Sequence, residues 1–207
     1  VTYTRIKICG ITTPDDASMA VASGADAIGL VFYPDSPRAV TIDDAVKIAG
    51  VVPPFVSIVA LFVDESASVI SAVLESVQID VIQFHGNESA DFCQQFGRPF
   101  IKAIRVKAGL DLPRLCATYA MARGVLLDTW QEGVPGGTGK VFDWQLASMN
   151  LPLPVVAAGG LTDSNVATAI KALKPSAVDV SGGVESAPGI KDQTKITRFV
   201  AAVRAED

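Results

Sequence analysis

Apolar residues along this chain fall in short blocks, separated by longer stretches with a helical period. Arg5 to Cys9 alternates charged and β-branched residues before its cysteine, so Ile6 and Ile8 share one face of a strand and Arg5, Lys7 and Cys9 the other. Apolar runs of strand length follow at Ala27 to Phe32, Ser57 to Phe62, Val81 to Phe84, Phe100 to Ile104, Gly124 to Leu127, Val155 to Ala158 and Ala177 to Val180. Helical segments alternate with them. They run from Thr12 to Gly24, Thr41 to Val51, Ser66 to Val77, from Asn87 to near Gly97, and over Leu112 to Ala120, Trp144 to Met149, Asp163 to Lys174 and Ile190 to Ala205. Such alternation implies parallel strands joined by right-handed crossovers. Eight units close a barrel, so the pattern predicts an α/β fold, a single-domain (β/α)8 TIM barrel over residues 1–207 with lean loops of about 26 residues per unit. An open doubly wound sheet would carry a Gly-x-Gly-x-x-Gly turn after the first strand, and Cys9-Gly-Ile-Thr12 lacks it.

Composition narrows the functional classes. The 207 residues are 49% hydrophobic, enough for one sizeable core. A net charge of −5 argues against broad contact with a nucleic-acid backbone, but leaves room for a local anion site built from backbone amides. Cys9, Cys93 and Cys116 are far apart with no Cys-x-x-Cys, which fits a reducing cytoplasmic setting. The sole histidine, His85, excludes a His-rich metal site. No apolar run approaches the roughly 20 residues of a membrane helix. The N-terminus shows neither a signal-peptide pattern nor an initiator Met. The expected partner is a small molecule, and a monomer is expected over a dimer.

In a barrel the chemistry gathers where strands end. Those positions here are Cys9, Phe32 with Arg38 beyond it, Asp64, His85, Arg105, Asp128, Gly159-Gly160 and Ser181-Gly182-Gly183. Glycine pairs after strands seven and eight suit phosphate, because they let backbone amides approach its oxygens; tight turns are the plainer reading. Gly133 to Lys140 imitates a P-loop, but Val134 stands where the first glycine belongs and Val141 where Ser or Thr should hold a metal. It reads as a loop that folds over a ligand, or as one that is merely flexible.

Cys9 and Asp128 face each other across the mouth, a thiol and a carboxyl placed for proton transfer to opposite sides of a small substrate. A buried apolar thiol and a turn-capping carboxylate are their plainer readings. Lys7 is placed to favour the Cys9 thiolate. Lys7 and Asp179 are expected to meet inside the barrel as a buried pair, since neither charge is tolerated there alone. Arg38, on an exposed loop, is the candidate clamp for a substrate carboxylate. His85 either hydrogen-bonds substrate or orders its loop.

The ordered set Lys7-Ile-Cys-Gly-Ile-Thr12, Gly29-Leu-Val-Phe32 with Ser36-Pro-Arg38, Gln83-Phe-His-Gly-Asn-Glu88, Leu127-Asp-Thr129, Gly136-Gly-Thr-Gly-Lys-Val-Phe-Asp-Trp144, Ala158-Gly-Gly-Leu161 and Val178-Asp-Val-Ser-Gly-Gly-Val-Glu185 resembles phosphoribosylanthranilate isomerase, the TrpF family of tryptophan synthesis. The matches run from strand one to strand eight. Ser181-Gly-Gly183 departs from the Ser-Ser-Gly of many relatives, losing one hydroxyl. The resemblance implies an Amadori rearrangement of N-(5-phosphoribosyl)anthranilate to 1-(2-carboxyphenylamino)-1-deoxyribulose 5-phosphate. It implies Asp128 as general acid, Cys9 as general base, Arg38 on the anthranilate, the loops after strands seven and eight on the phosphate, and no metal or organic cofactor. A histidine-pathway aminoaldose isomerase and a non-catalytic phosphate-binding barrel are the rival readings. Two-fold repeated phosphate sites would favour the first of these rivals. The second needs neither Cys9 nor Asp128.

Overall fold

The structure, a computed structural model, describes residues 3–107, 109–129 and 151–207. Eight strands, β1 (Arg5–Cys9), β2 (Ala27–Val31), β3 (Ser57–Phe62), β4 (Val81–Phe84), β5 (Phe100–Val106), β6 (Gly124–Thr129), β7 (Val155–Ala157) and β8 (Ala177–Val180), pair in sequence order. All pairings are parallel, and β8 returns to β1 to close the barrel. The helices are α1 (Pro14–Ala22), α2 (Ile42–Ala49), α3 (Ala67–Ser76), α4 (Ala90–Gln94), α5 (Leu112–Thr118), α6 (Val166–Leu173) and α7 (Gln193–Arg204). The glycine-rich loop read at Gly133–Gly139 and the short helix read at Trp144–Met149 lie outside the described residues.

Strand parity sorts the side chains into two cores. Ile6, Ile8, Ile28, Leu30, Ile58, Phe62, Ile82, Phe84, Val125, Leu127, Val178 and Val180 point outward, into one continuous layer under the helices. Inside, small apolar groups form separate patches: Cys9 with Val31 and Leu61, and Ala103 with Leu126 and Ala158. The interior also holds Lys7, Gln83 and Asp179, all buried. Barrel interiors are usually filled by branched apolar residues, so polar groups at this depth must satisfy one another. They do: Lys7 Nζ donates to Asp179 Oδ1 at 2.9 Å and to Gln83 Oε1 at 3.0 Å. Lys7 lies directly opposite Asp179 in the β1–β8 register. The expected buried pair therefore forms. Gly29 makes room for it, since a Cβ there would sit 2.7 Å from Cys9 Sγ and 3.1 Å from Lys7 Cε.

Helix starts follow ordinary capping chemistry. Thr13, Thr41, Ser66, Ser89, Asp111 and Asp192 each accept a backbone N–H from the first turn of the following helix. Four boundaries that bear on the site differ from the sequence reading. The last helix begins at Gln193, not Ile190, because Asp192 caps it, and Ile190–Lys191 (β10) pairs antiparallel with Glu185–Ala187 (β9). Gly189 turns that hairpin with φ of +81°. The helix read from Asp163 starts at Val166, because Asn165 spends its side chain on Thr162 N and Gly160 O. Finally, β5 and β6 run two residues further than Ile104 and Leu127, which places Arg105 and Asp128 on the strands themselves.

A second buried pair lies outside the barrel. Lys102 Nζ meets Glu88 Oε2 at 3.1 Å and also donates to the carbonyls of Phe84, Gly86 and Ala103. Replacing Lys102 by Met strands the Glu88 carboxylate and is expected to cost about 3–5 kcal/mol of unfolding free energy. Urea denaturation measures this, and a loss within experimental error would show the pair to be energetically idle.

Candidate active site

A cavity of about 700 Å³ opens at the C-terminal ends of the strands, within the range of small-molecule sites. Cys9, Arg38, His85, Asp128, Gly159, Gly160, Ser181, Gly182 and Gly183 all line it, so every site residue read from the sequence reaches one space. Val31, Leu61, Val63, Leu126 and Ala158 give the cavity an apolar wall, and Tyr33 stands at its rim. Such a wall suits an aromatic ring.

Cys9 ends β1 and is 5% exposed. Burial pushes its thiol pKa up, the Lys7 and Lys191 ammonium groups pull it down, and burial wins. Lys7 itself is raised: burial opposes its charge, but Asp179 and Cys9 beside it outweigh that cost. The thiol and the ammonium are thus the resting forms. Cys93 and Cys116 are fully buried among apolar groups, with pKa values pushed to about 12 and about 11 by desolvation. They are structural, as expected of cysteines away from the rim.

Asp128 projects from β6 toward β4. Its Oδ2 lies 3.1 Å from His85 Nε2, and His85 Nδ1 lies 3.0 Å from Gln83 Nε2. The backbone carbonyl of His85 accepts from Arg105 Nη2 at 3.1 Å. His85 is thus tied into its surroundings and touches the carboxyl at the mouth.

The loops after β7 and β8 form the opposite wall. Gly159 and Gly160 take φ of +82° and +64°, which favours glycine on conformation alone. Gly182–Val184 is a 3₁₀ turn. A Cβ at Gly183 would collide with the Leu161 carbonyl, so the two loops pack backbone to backbone. The Ser181 hydroxyl oxygen is buried with no partner among the described residues. Glycines in such loops leave backbone amides room to approach an anion.

Arg38 departs from the exposed loop read in the sequence. Its side chain is only 14% exposed, and Glu185 grips it with two bonds, Nε to Oε1 at 2.8 Å and Nη2 to Oε2 at 2.7 Å. Burial disfavours the Glu185 carboxylate, yet Arg38 and Lys191 together hold its pKa below the ordinary range. Lys191 is fully enclosed and donates to Glu185 Oε1 at 2.7 Å and to the Cys9 carbonyl at 2.6 Å. Burial drives the Lys191 pKa down, and Glu185 only partly offsets it. Gly10 completes the packing: its φ is +74°, and a Cβ there would sit 2.5 Å from Arg38 Cδ.

Sequence reasoning missed Gln83, Glu185 and Lys191. Gln83 had a visible signal, as the one polar residue of an apolar strand, in phase with His85. Glu185 closes the strand-eight motif, but its partners and those of Lys191 depend on a hairpin hidden inside an expected loop and helix.

The comparisons agree with one another. The family model for N-(5'phosphoribosyl)anthranilate (PRA) isomerase matches residues 6–202. The N-(5'-phosphoribosyl)anthranilate isomerase of Pseudomonas savastanoi pv. phaseolicola is 57% identical over 199 residues, 96% of this chain and 97% of that protein. The crystal structure of phosphoribosyl anthranilate isomerase from Thermotoga maritima superposes with a TM-score of 0.89 at 40% identity, over 98% of this chain and 100% of that one. A phosphoribosyl anthranilate isomerase solved in complex with reduced 1-(o-carboxyphenylamino)-1-deoxyribulose 5-phosphate does so at 0.86 and 38% identity, over the same shares. With the barrel and its rim in the same order as the motifs, the chain belongs to the N-(5'-phosphoribosyl)anthranilate isomerase family.

Proposed function

We propose that this protein catalyses the Amadori rearrangement of N-(5-phosphoribosyl)anthranilate to 1-(2-carboxyphenylamino)-1-deoxyribulose 5-phosphate, an intramolecular oxidoreduction by general acid/base catalysis in tryptophan biosynthesis. The observation that carries this reading is the placement of Cys9 and Asp128 on one cavity, between an apolar wall and a glycine-built anion cradle. In this reading the Asp128 carboxyl gives its proton to the furanose ring oxygen. The C1–O bond breaks and the anilinic nitrogen's lone pair forms a C1=N iminium. Cys9, once its thiol has given up its proton to solvent, removes the proton from C2 as the thiolate, and the C2–H electrons flow into the iminium to give an enolamine. Proton loss from the C2 hydroxyl and proton gain at C1 complete the ketone. C1 is reduced and C2 oxidised within one molecule, so the atoms balance.

The phosphate sits against Gly159, Gly160, Ser181, Gly182 and Gly183. Glu185 holds the Nε–Nη2 edge of Arg38, which turns the remaining guanidinium N–H groups to the anthranilate carboxylate. His85 lines the same cavity, within reach of substrate, and hydrogen-bonds Asp128. No helix among the described residues is long and apolar enough to cross a membrane, and the three free, buried thiols suit a reducing cytoplasm.

In an assay with N-(5-phosphoribosyl)anthranilate, Cys9→Ser and Asp128→Asn should each lose at least about a hundredfold in kcat. A variant that turns over at the wild-type rate removes its residue from the mechanism. The Cys9 thiol also has a pH signature. Because its pKa is raised, less thiolate exists at a given pH than for a free thiol near about 8.5. Its alkylation rate by iodoacetamide, taken as the difference between wild type and Cys9→Ser, should therefore climb with pH and reach half-maximum above that value. A half-point below it would mean that Lys7 has already formed the thiolate.

A further inference from the structure

A continuous hydrogen-bonded chain crosses the barrel interior: Asp179, Lys7, Gln83, His85, Asp128. Each of the five residues is at most 9% exposed. The direction of every bond in it follows from chemistry. A lysine ammonium has three donors and no acceptor, so the Gln83 atom facing Lys7 must be the carbonyl oxygen. The amide NH2 then faces His85 Nδ1 at 3.0 Å. An NH2 group can only donate, so Nδ1 must present its lone pair, and the ring proton of His85 resides on Nε2. That N–H points at Asp128 Oδ2, 3.1 Å away.

We propose that Gln83 is a positioning residue: oriented by Lys7, it fixes the tautomer of His85 and thereby the hydrogen-bonded state of the Asp128 carboxyl. The function of such a lock follows from the opposite tautomer. A bare Nε2 lone pair would attract the acid proton of Asp128 and withhold it from substrate. Once Asp128 had become a carboxylate, the same lone pair would repel it. An Nε2–H keeps Oδ2 as an acceptor throughout. It directs the acid proton to the other oxygen and stabilises the carboxylate left after transfer. The tautomer is a property of the folded chain alone, whereas its part in turnover rests on the isomerase activity proposed above.

Because His85 is the sole histidine, one spectrum reads the tautomer without assignment. In protein labelled with 15N-histidine, long-range 1H–15N correlation should show the wild-type proton on Nε2 alone. Gln83→Glu replaces the facing NH2 by a carboxylate oxygen that accepts from the ring, while the other oxygen still accepts from Lys7, and should move a proton onto Nδ1. With N-(5-phosphoribosyl)anthranilate as substrate, it should lower kcat by at least about tenfold while KM stays within about twofold. Gln83→Met, which fills the space without hydrogen bonds, should give ring signals averaged between tautomers and a similar fall in kcat. A wild-type proton on Nδ1, or on both nitrogens, overturns the proposal even if neither variant folds. So does a folded variant whose spectrum changes while kcat does not, or one whose loss lies in KM alone. If wild type fails to turn over this substrate, the proposed activity falls while the tautomer is still decided by the spectrum.

Discussion

A buried ammonium at the centre of the barrel constrains much of what surrounds it. Lys7 occupies an interior position where most barrels place a branched apolar side chain. Its charge is sustained because Asp179 lies opposite in register, Gln83 reaches across from β4, and Gly29 leaves space beside it. Losing Asp179 would leave a buried charge unmet, at a cost of several kcal/mol. In return the ammonium is tied to both residues proposed for proton transfer. It lies beside the Cys9 thiol and restrains the rise of its pKa, and through two hydrogen-bonded residues it reaches Asp128. The proposed acid and base are thus linked to one point, though they stand on β6 and β1.

The rim shows a second use of the same principle. Glu185 serves two cations at once, Arg38 at the cavity and Lys191 behind it. An arginine proposed as a clamp for a ligand carboxylate loses less conformational entropy on binding if its fork is already held. Glu185 does this from a short hairpin inserted between β8 and α7, so the holding group comes from outside the eight strand–helix units.

The barrel was legible because it rests on local regularities. Period-two alternation at β1, apolar runs at the other strands and capping residues between them all lie within a few neighbours in sequence. Cys9, His85, Asp128 and the glycine pairs were legible for a related reason: in a parallel barrel, strand ends share one rim. The Lys7–Asp179 pair was within reach, because closing the barrel makes β8 and β1 adjacent. The β9–β10 hairpin was not, since three residues pairing with two leave no periodic signal and Ile190 looks like the first apolar residue of a helix. The partner of Arg38 was hidden for the same reason: Arg38 and Glu185 are 147 residues apart, and only the folded loops bring them together.

That hairpin also ties local stability to chemistry. Lys191 pins the carbonyl of Cys9 and the turn after β8 from a strand of two residues whose other residue, Ile190, faces solvent. Such a small element opens more readily than the barrel beneath it. Opening would release Cys9, Arg38 and the anion cradle together, while the eight-stranded sheet stayed closed. Heat or mild denaturant would then silence the active site before the secondary structure melts, making catalytic output a gauge of the rim and circular dichroism a gauge of the barrel.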